Sequence, residues 1–272
     1  MDSEASQPIS REITIISITK NDPDGIRRTV ESVTIQDFEM WRLVIVLSSE
    51  ADASFEYVKN LSGQNKKIHY LVPDSLGIYK AMNFALDRFN PELTWFLNGG
   101  DEFKSTKILS RSYIFMEMYK PSILFGGYEV FENGKKRQFK RSTSLVYPRK
   151  FSLNIRSGNH QAMLFDLAQQ KEARFNLDFK LASDFLFVLE VLGERPGLRV
   201  PEIFVEIEPG GVSHDLINKV WFEKQQARER FFGKYSVDWL LGYFWTLSVK
   251  SKKTIKSILR LLRNHSRSQL NA

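Results

Sequence analysis

The chain has 272 residues, of which 42% are hydrophobic and none is cysteine, so it can fill a sizeable core but cannot form disulfides or a thiol-based site. Its 39 Lys and Arg exceed its 32 Asp and Glu by seven, and seven basic residues follow the last acidic one, Asp238. The body is therefore neutral, and the overall positive charge gives no reason to expect a nucleic-acid partner.

Strands and helices alternate in the first hundred residues. The apolar run ITIISI is typical of a strand buried on both faces, and we predict strands at Ile13 to Ile18, Arg42 to Ser48, Lys67 to Val72 and Leu93 to Leu97. Helices are predicted after the capping residue Asp22, near Ala51 to Leu61, and over Ile78 to Phe89, where apolar residues recur at helical spacing. This order implies right-handed parallel crossovers, hence an α/β fold whose Rossmann-like, mostly parallel sheet is flanked by helices.

The second half is less regular. We predict a helix at Lys107 to Tyr119, a strand at Ser122 to Gly127 and a hairpin that turns at Asn133 and Gly134. Further helices are predicted at Leu164 to Glu172, Ser183 to Leu192 and Leu216 to Phe231. The sequence therefore predicts one α/β domain over residues 1–212 and a helical C-terminal extension over residues 213–272.

The stretch FLNGGDEF, Phe96 to Phe103, follows the fourth predicted strand. Ligands of open parallel sheets bind beyond the carboxyl ends of the strands. The two glycines let the backbone approach a ligand closely, and Asp101 offers a hard oxygen ligand for Mg²⁺ or Mn²⁺ bridging a diphosphate. The alternative is a Gly-Gly turn in which Asp101 caps the next helix.

The five letters GGDEF also resemble the signature of diguanylate cyclases, in which they form the turn of a β-hairpin. Here the continuation KSTKILSRSYIFMEM fits a helix better than a strand, and no Arg stands shortly before the glycines. The upstream metal-binding aspartate of that family also has no clear counterpart. We interpret the match as accidental.

Several ordered segments resemble the family 2 glycosyltransferases of the GT-A fold, particularly bacterial enzymes of capsule, exopolysaccharide and O-antigen assembly. LGIYKAMNFAL is close to the Gly-Ile-Tyr-Asp-Ala-Met-Asn signature of that group, and WFLNGGDEF replaces its Phe-Leu-Asn-Ser-Gly-Asp. The opening ISITKNDPDGIRRTVESVTIQ and the later SGNHQAMLFD, KLASDFLFVLEVL and GGVS are also similar. The likeness covers about Ile13 to Ser213 in the family's order.

The resemblance implies inverting transfer of a sugar from a nucleotide-sugar donor to a glycan or lipid-linked acceptor. It assigns Asp101 to the family's metal-binding aspartate, for Mg²⁺ or Mn²⁺, and Asp184 to its catalytic base, which takes a proton from the acceptor hydroxyl. His160 and Gln161 are candidates for contact with the acceptor or the diphosphate, and His214 for a metal ligand. The candidates for binding the nucleotide sugar are Thr19, Asn21, Ser48, Asp74, Asn83 and Gly100.

Some of these residues also have structural interpretations. Asp184 near a helix start can favour the helix dipole, His160 can be a hydrogen-bonded structural histidine, and His214 can cap the following helix. The family's aspartate-rich turn after the second strand reads VLSSEADAS here, which leaves Ser48, Ser49 or Glu50 in that place. Since the signature aspartate is Lys80, the donor cannot be named from the pattern. A member that binds a sugar nucleotide without turning it over is another alternative.

The C-terminal segment TIKSILRLLRN has apolar residues on one helical face and basic residues on another. Such a pattern favours an amphipathic helix at an anionic membrane surface, and the alternative is a helix packed on the body. The longest apolar run, Trp239 to Val249, is about half of what a membrane span needs, and the acidic N-terminus argues against a signal peptide. The expected location is the cytoplasm, at the inner face of the plasma membrane.

Overall fold

In the computed structural model, the described residues are 11–74, 77–132, 135–153, 158–193, 195–208 and 216–244. The strands among them are β1 (Ile13–Ile18), β2 (Trp41–Val46), β3 (Ile68–Leu71), β4 (Leu93–Phe96), β5 (Glu102–Phe103), β6 (Ile123–Glu132), β7 (Lys135–Phe139), β8 (Ser144–Val146), β9 (Met163–Asp166) and β10 (Gly197–Ile207). The helices are α1 (Pro23–Thr34), α2 (Phe55–Gln64), α3 (Ile78–Phe89), α4 (Ile108–Tyr119), α5 (Pro148–Ser152), α6 (Ser183–Val191) and α7 (Ile217–Phe232), with a 3₁₀ turn, η1, at His160–Ala162.

The strands form one mixed sheet in the order β3-β2-β1-β4-β9-β6-β10-β5, with β7 beside β6 and β8 beside β10. The half built from β3, β2, β1 and β4 is parallel, as Ile13 pairs with Trp41 on one side and with Leu93 on the other. Strand β9 runs antiparallel between β4 and β6. The start of β9 therefore lies at the same edge of the sheet as the carboxyl ends of β1, β2 and β4.

The core lies on both faces of this sheet because successive strand residues point to opposite sides. Ile15 and Ile45 belong to one buried cluster, which α1, α2 and α4 cover, and Ile16 and Val44 belong to the other, which α3, α5 and α6 cover. Continuous apolar runs such as ITIISI are thus buried on both faces. The predicted α/β fold is confirmed.

The predicted helix at Leu164 to Glu172 is wrong. Leu, Ala, Gln, Lys and Glu in that stretch favour a helix in isolation, but Met163–Asp166 forms β9 between β4 and β6. In that place the strand satisfies backbone hydrogen-bonding groups of both neighbours, which outweighs local propensity. The predicted hairpin is confirmed, since β6 pairs with β7 in antiparallel register, while its turn, Asn133 and Gly134, lies outside the described residues.

The described part of the chain contains no helix long and apolar enough to cross a membrane. Residues 237–244 are helical, and the basic segment predicted to meet a membrane surface lies beyond them, outside the described residues.

Glu129 on β6 is a buried carboxylate between two lysines. Its Oε1 lies 2.6 Å from the Nζ of Lys104 and 2.7 Å from the Nζ of Lys136, and its Oε2 accepts a hydrogen bond from Gln138. Burial by itself would raise the pKa of Glu129, but these hydrogen bonds and charges lower it to about 2. The ionised form of Glu129 is therefore more stable in the folded chain than in the unfolded chain.

We expect Glu129→Gln to reduce the free energy of unfolding at pH 7 by about 2 kcal/mol, the range for hydrogen bonds to charged groups. Because the folded-state pKa is depressed, this stabilisation is complete above the ordinary pKa of 4.5 and disappears as the pH falls toward about 2. Urea unfolding at several pH values should show the wild type and the variant converging over that window.

The matched control for this prediction is Glu202→Gln. Glu202 is also a glutamate of the sheet, but its partner Arg111 is 54% exposed, so the change should cost at most about 1 kcal/mol. A Glu129→Gln protein that equals the wild type at pH 7, or whose deficit stays constant down to pH 2, would contradict the prediction.

Candidate functional site

Two aspartates and a cleft lie at the edge of the sheet where β1, β2 and β4 end and where η1 leads into β9. Asp101 follows β4, and Asp184 is in the first turn of α6. His160, in η1, connects them: it contacts Asp184, and its charge also acts on Asp101. The structure therefore brings the predicted metal-binding aspartate, the predicted base and the predicted acceptor-side histidine to one place.

The loop that carries Asp101 is held by Thr29 of α1. The Thr29 hydroxyl accepts a hydrogen bond from the amide of Gly100 at 3.0 Å and donates one to the carbonyl of Asp101 at 2.8 Å. Gly100 has a φ of +94°, and a Cβ there would lie 2.1 Å from an Oε atom of Glu208. Only glycine suits this turn, so the two glycines of FLNGGDEF serve backbone geometry and close packing.

The carboxyl group of Asp101 is buried, with 4% of the residue exposed. Its Oδ1 accepts a hydrogen bond from the amide of Glu208 at 3.0 Å. Burial is the main cause that raises the pKa of Asp101 to about 7, although the Glu208 amide and the charge of His160 oppose it. The ionised form of a buried carboxyl group whose pKa is raised is stabilised by any cation placed beside it.

Asp184 has the opposite electrostatic environment. Its Oδ2 lies 3.3 Å from Nδ1 of His160, and its Oδ1 accepts a hydrogen bond from the hydroxyl of Tyr79 at 3.3 Å. Burial would raise the pKa of Asp184, but the hydrogen bond and charge of His160 and the charge of Lys224 lower it. With 31% of its side chain exposed, Asp184 presents an ionised carboxylate that a substrate can reach.

The helix that carries Asp184 is capped by a residue of α7. The carboxylate of Glu223 accepts hydrogen bonds from the amides of Leu181 at 2.7 Å and Ala182 at 3.0 Å, immediately before α6. These amides belong to the two residues before the helix, whose N-cap residue Ala182 makes no side-chain cap hydrogen bond. Helix α7 thus positions Asp184 through Glu223 and acts on its charge through Lys224.

A cleft of about 370 Å³ opens at the ends of β1 and β2 beside the start of α3. Of the predicted nucleotide-binding residues, Thr19 and Ser48 line it, together with Lys20. Ile78 and Ala81 supply an apolar wall from α3. A mostly apolar cleft with a few polar groups is typical of sites that bind a small ligand.

Asp52 joins the loops after β1 and β2, although it belongs to none of the motifs that predict site residues. Its carboxylate accepts hydrogen bonds from the backbone amide of Asn21 at 3.0 Å and from the hydroxyl of Ser48 at 2.7 Å. Asn21 in turn accepts from the amide of Ala53 through its side chain. Asn21 and Ser48, both predicted to bind a nucleotide, therefore hold the two loops together, because each donates a hydrogen bond to Asp52.

Other predicted residues differ in what they contact. The amide of Asn83 donates to the carbonyl of Phe175 and accepts from its amide, both at 2.8 Å, so we leave Asn83 out of the proposed donor site. Its role is to hold Phe175, which stacks on Tyr79. Asp74 is exposed next to the lining residue Pro73, and His214 lies outside the described residues.

Four buried polar atoms around this edge have no hydrogen-bond partner among the described residues. They are Oγ1 of Thr19, Oδ1 of Asn98, Nε2 of His160 and Oε1 of Gln161. Buried polar groups are nearly always satisfied in native proteins, and exceptions call for an explanation such as a ligand. Three of the four residues are predicted site residues, which supports binding of a polar molecule here.

Comparison with known proteins gives a consistent result. A family model described as glycosyl transferase family 2 matches residues 14–188. An uncharacterized glycosyltransferase of Mycobacterium tuberculosis is 30% identical over 205 residues, which are 74% of this chain and 76% of the relative. The putative teichuronic acid biosynthesis glycosyltransferase TuaG of Bacillus subtilis is 27% identical over 119 residues, 43% of this chain and 47% of TuaG.

Solved structures share the fold. A crystal structure of S. aureus TarS in complex with UDP has a TM-score of 0.62 and 16% identity, and the match covers 81% of this chain and 70% of that chain. The mannosyltransferase PcManGT of Pyrobaculum calidifontis, in complex with GDP-Man and Mn²⁺, has a TM-score of 0.61 and 14% identity, covering 84% and 66%. At these identities the likeness shows a common fold.

Proposed function

The chain belongs to glycosyl transferase family 2, and on that premise we propose that it moves a hexose from a nucleotide-sugar donor to a glycan or lipid-linked acceptor, with inversion at the anomeric carbon. The observation that carries the proposal is the pair of aspartates at one sheet edge. Asp101 is buried with a raised pKa, and Asp184 is accessible with a lowered one. In many active sites two nearby carboxyl groups have pKa values shifted in opposite directions. One of them then binds a ligand or stays protonated while the other transfers a proton.

The nucleotide of the donor is proposed to lie in the cleft beside Thr19 and Ser48. This cleft is at the carboxyl ends of parallel strands, where open α/β sheets bind nucleotides. TarS and PcManGT, which share the fold, have been solved with UDP, UDP-GlcNAc or GDP-Man. The diphosphate would then extend from the end of β1 toward the loop of Asp101, which packs against Thr19 through Gly99.

The residues at the diphosphate end fit a divalent cation, Mg²⁺ or Mn²⁺. Asp101 offers a buried carboxylate with one oxygen not taken by the Glu208 amide, and Mg²⁺ is commonly held by one or two carboxylates together with substrate phosphates. Within the described ranges, no group of three or more His, Asp or Glu side chains could hold a metal without such help. When bound, the cation neutralises charge that develops on the departing diphosphate.

Asp184 is proposed to be the general base. Its ionised carboxylate can take the proton of the acceptor hydroxyl while that oxygen attacks the anomeric carbon from the face opposite the diphosphate. Tyr79 and His160 each hold one of its oxygens, which fixes the direction of the remaining lone pairs. The low pKa keeps the group deprotonated at neutral pH, as the role requires.

The products are proposed to be surface polysaccharides such as capsule or exopolysaccharide. The support is the likeness to TuaG, whose name refers to teichuronic acid biosynthesis, and the family resemblance of the sequence. A lipid-linked acceptor would be met at the inner face of the plasma membrane. We propose peripheral attachment there through the basic C-terminal tail, on the strength of its sequence pattern alone.

A thermal-shift screen of UDP-, GDP- and dTDP-sugars with Mn²⁺ tests the proposed function. A ligand that binds only the folded chain raises the melting temperature, by an amount that grows with its concentration above the Kd. We expect one nucleotide class to do so, and the same donor to be slowly hydrolysed when no acceptor is present. Binding without any hydrolysis or transfer would favour a noncatalytic binding protein, and no binding at all would contradict the proposal.

A further inference from the structure

A second pocket, of about 130 Å³, lies between β6, β7 and β10. Its walls include three cationic residues, Lys140, Arg141 and Arg199, and none of its described lining residues is acidic. Most protein surfaces mix the two signs of charge, so a concave site lined by one sign concentrates ions of the opposite sign. We call this site the basic pocket.

Arg199 is the distinctive member of the basic pocket. It is 7% exposed, and its guanidinium carbon lies 5.5 Å from the ring centroid of Phe125. Among the described residues, no carboxylate comes within ion-pair distance of it. Burial lowers the pKa of Arg199, and the charge of Arg141 lowers it further. Burying a charge without a partner is costly, and proteins ordinarily pair such groups.

The carboxylate of Glu129, near this part of the sheet, already has its own cationic partners. Glu129, on the same strand as Phe125, is bound by Lys104 and Lys136 and by the side-chain amide of Gln138. None of these contacts involves Arg199, so among the described residues Glu129 does not compensate its positive charge. An anion from outside the chain would supply the missing charge.

The basic pocket is next to the proposed acceptor side of the catalytic site. Gly158, which lines it, precedes His160 by two residues, and Phe125 pairs with Met163 at the start of β9. The turn η1, which carries His160, packs against β4, β6 and β10. The nucleotide cleft lies at the ends of β1 and β2. In the sheet order β4 and β9 separate these strands from β6 and β10, so His160, which leads into β9, is between the donor side and the basic pocket.

From this arrangement we propose that the basic pocket binds a phosphate group, and that this phosphate belongs to the acceptor. The second half of the proposal rests on the proposed function, whereas phosphate binding itself does not. Arginine recognises phosphate by paired hydrogen bonds from its planar guanidinium, and the guanidinium of Arg199 lies over the ring of Phe125. Lys140 lines the same pocket, and two positive charges suit a phosphate better than a single carboxylate.

Binding of three probes to the full chain tests the proposal: inorganic phosphate, glycerol 3-phosphate as a monoester, and bis(glycerol) phosphate as a diester. Titrations are made at constant ionic strength, with glycerol as the uncharged control. We expect saturable binding to the wild type and a Kd at least about tenfold weaker for Arg199→Gln, since one bidentate charge-assisted contact is lost. Arg199→Lys should recover part of the affinity.

Two control variants separate the basic pocket from other sites. Lys135→Gln removes an exposed cation of β7 that does not line the pocket, and Lys20→Gln removes the cation of the nucleotide cleft. Neither should change the Kd of the phosphate probes by more than about twofold. If Lys20→Gln weakens these probes and Arg199→Gln does not, the phosphate binds in the nucleotide cleft and the proposal is wrong.

Stability and donor binding complete the test. Because Arg199 is a buried charge with no ion pair to any described residue, Arg199→Gln should have a melting temperature equal to or above that of the wild type, and its affinity for the nucleotide sugar should be unchanged. A lower melting temperature with unchanged phosphate affinity would show a structural role and overturn the proposal. Absence of saturable phosphate binding to the wild type would also overturn it, whether or not a donor binds.

A preference between the two ester probes identifies the kind of acceptor phosphate. Tighter binding of the diester indicates a phosphate within an acceptor chain, and tighter binding of the monoester indicates a terminal one. Both results support the proposal if they depend on Arg199.

Discussion

Replacing Asp184 with asparagine is expected to reduce the rate of sugar transfer by about 10²- to 10⁴-fold, the usual contribution of a general base, while the affinity for the nucleotide sugar stays within about twofold. The amide has nearly the shape of the carboxylate and can still meet Tyr79 and His160, but it cannot take a proton from the acceptor. Single-turnover transfer and donor titration measure the two quantities separately.

Asp178→Asn is the matched control for this substitution. Asp178 precedes the same helix, but its side chain is 83% exposed, and it contacts no proposed site residue. Its transfer rate should equal that of the wild type. If Asp184→Asn also transferred at the wild-type rate, the assignment of the base would be wrong.

The pH dependence of transfer gives a second measurement of the same role. His160 lowers the pKa of Asp184 through its hydrogen bond and charge, against the effect of burial. Removing it by His160→Gln should therefore raise that pKa and move the acid limb of the pH-rate profile to higher pH. If the maximal rate falls but the acid limb stays at the same pH, His160 contacts the substrate and does not set the pKa of Asp184.

Replacing Asp101 with alanine is expected to weaken metal-dependent binding of the nucleotide sugar by about 100-fold or more, since the carboxylate proposed to hold the cation would be lost. Asp101→Asn should lose nearly as much, although its side-chain oxygen can still accept the hydrogen bond from the Glu208 amide. Calorimetric titration of donor with and without Mn²⁺ measures the effect.

The asparagine variant is needed because Asp101 is also structural. Alanine removes the acceptor of the Glu208 amide, so weak binding by Asp101→Ala alone does not separate loss of the cation from a disturbed loop. A donor affinity that is equal with and without Mn²⁺ in the wild type, and unchanged in Asp101→Asn, would contradict the metal assignment.

The parallel half of the fold could be predicted because each of its elements has a local signature. Ile78 to Phe89 is a helix at the predicted residues, since one apolar face repeats at helical spacing. The run from Met163 to Asp166 has no such signature. It is a strand because β4 and β6 leave a gap that only a strand can fill, and a gap between distant segments is invisible in a short window of sequence.

The same holds for the residues of the candidate site: those in local motifs can be predicted from the sequence, and those defined by long-range contacts cannot. Asp101 and Asp184 can be singled out as candidates from the sequence because each lies in a motif with recognisable neighbours, and their roles stay predictions. Asp52, Glu223 and Arg199 cannot be singled out in this way, because their contacts and surroundings involve segments far away in the chain. For Asp52 one signal was available: it is an aspartate in the loop after β2, where the family pattern has aspartates.

The contact between Glu223 and the start of α6 has a consequence for where the enzyme ends. The family-matched region stops at residue 188, yet the helix bearing Asp184 depends on a carboxylate and an ammonium group from α7, more than thirty residues later. A protein cut back to the region that the family model matches would lose the acceptor for two main-chain amides and the ammonium group of Lys224, whose charge lowers the pKa of Asp184. The part of the chain that holds Asp184 in place is therefore longer than the family-matched region, and dissection of this chain should cut after α7.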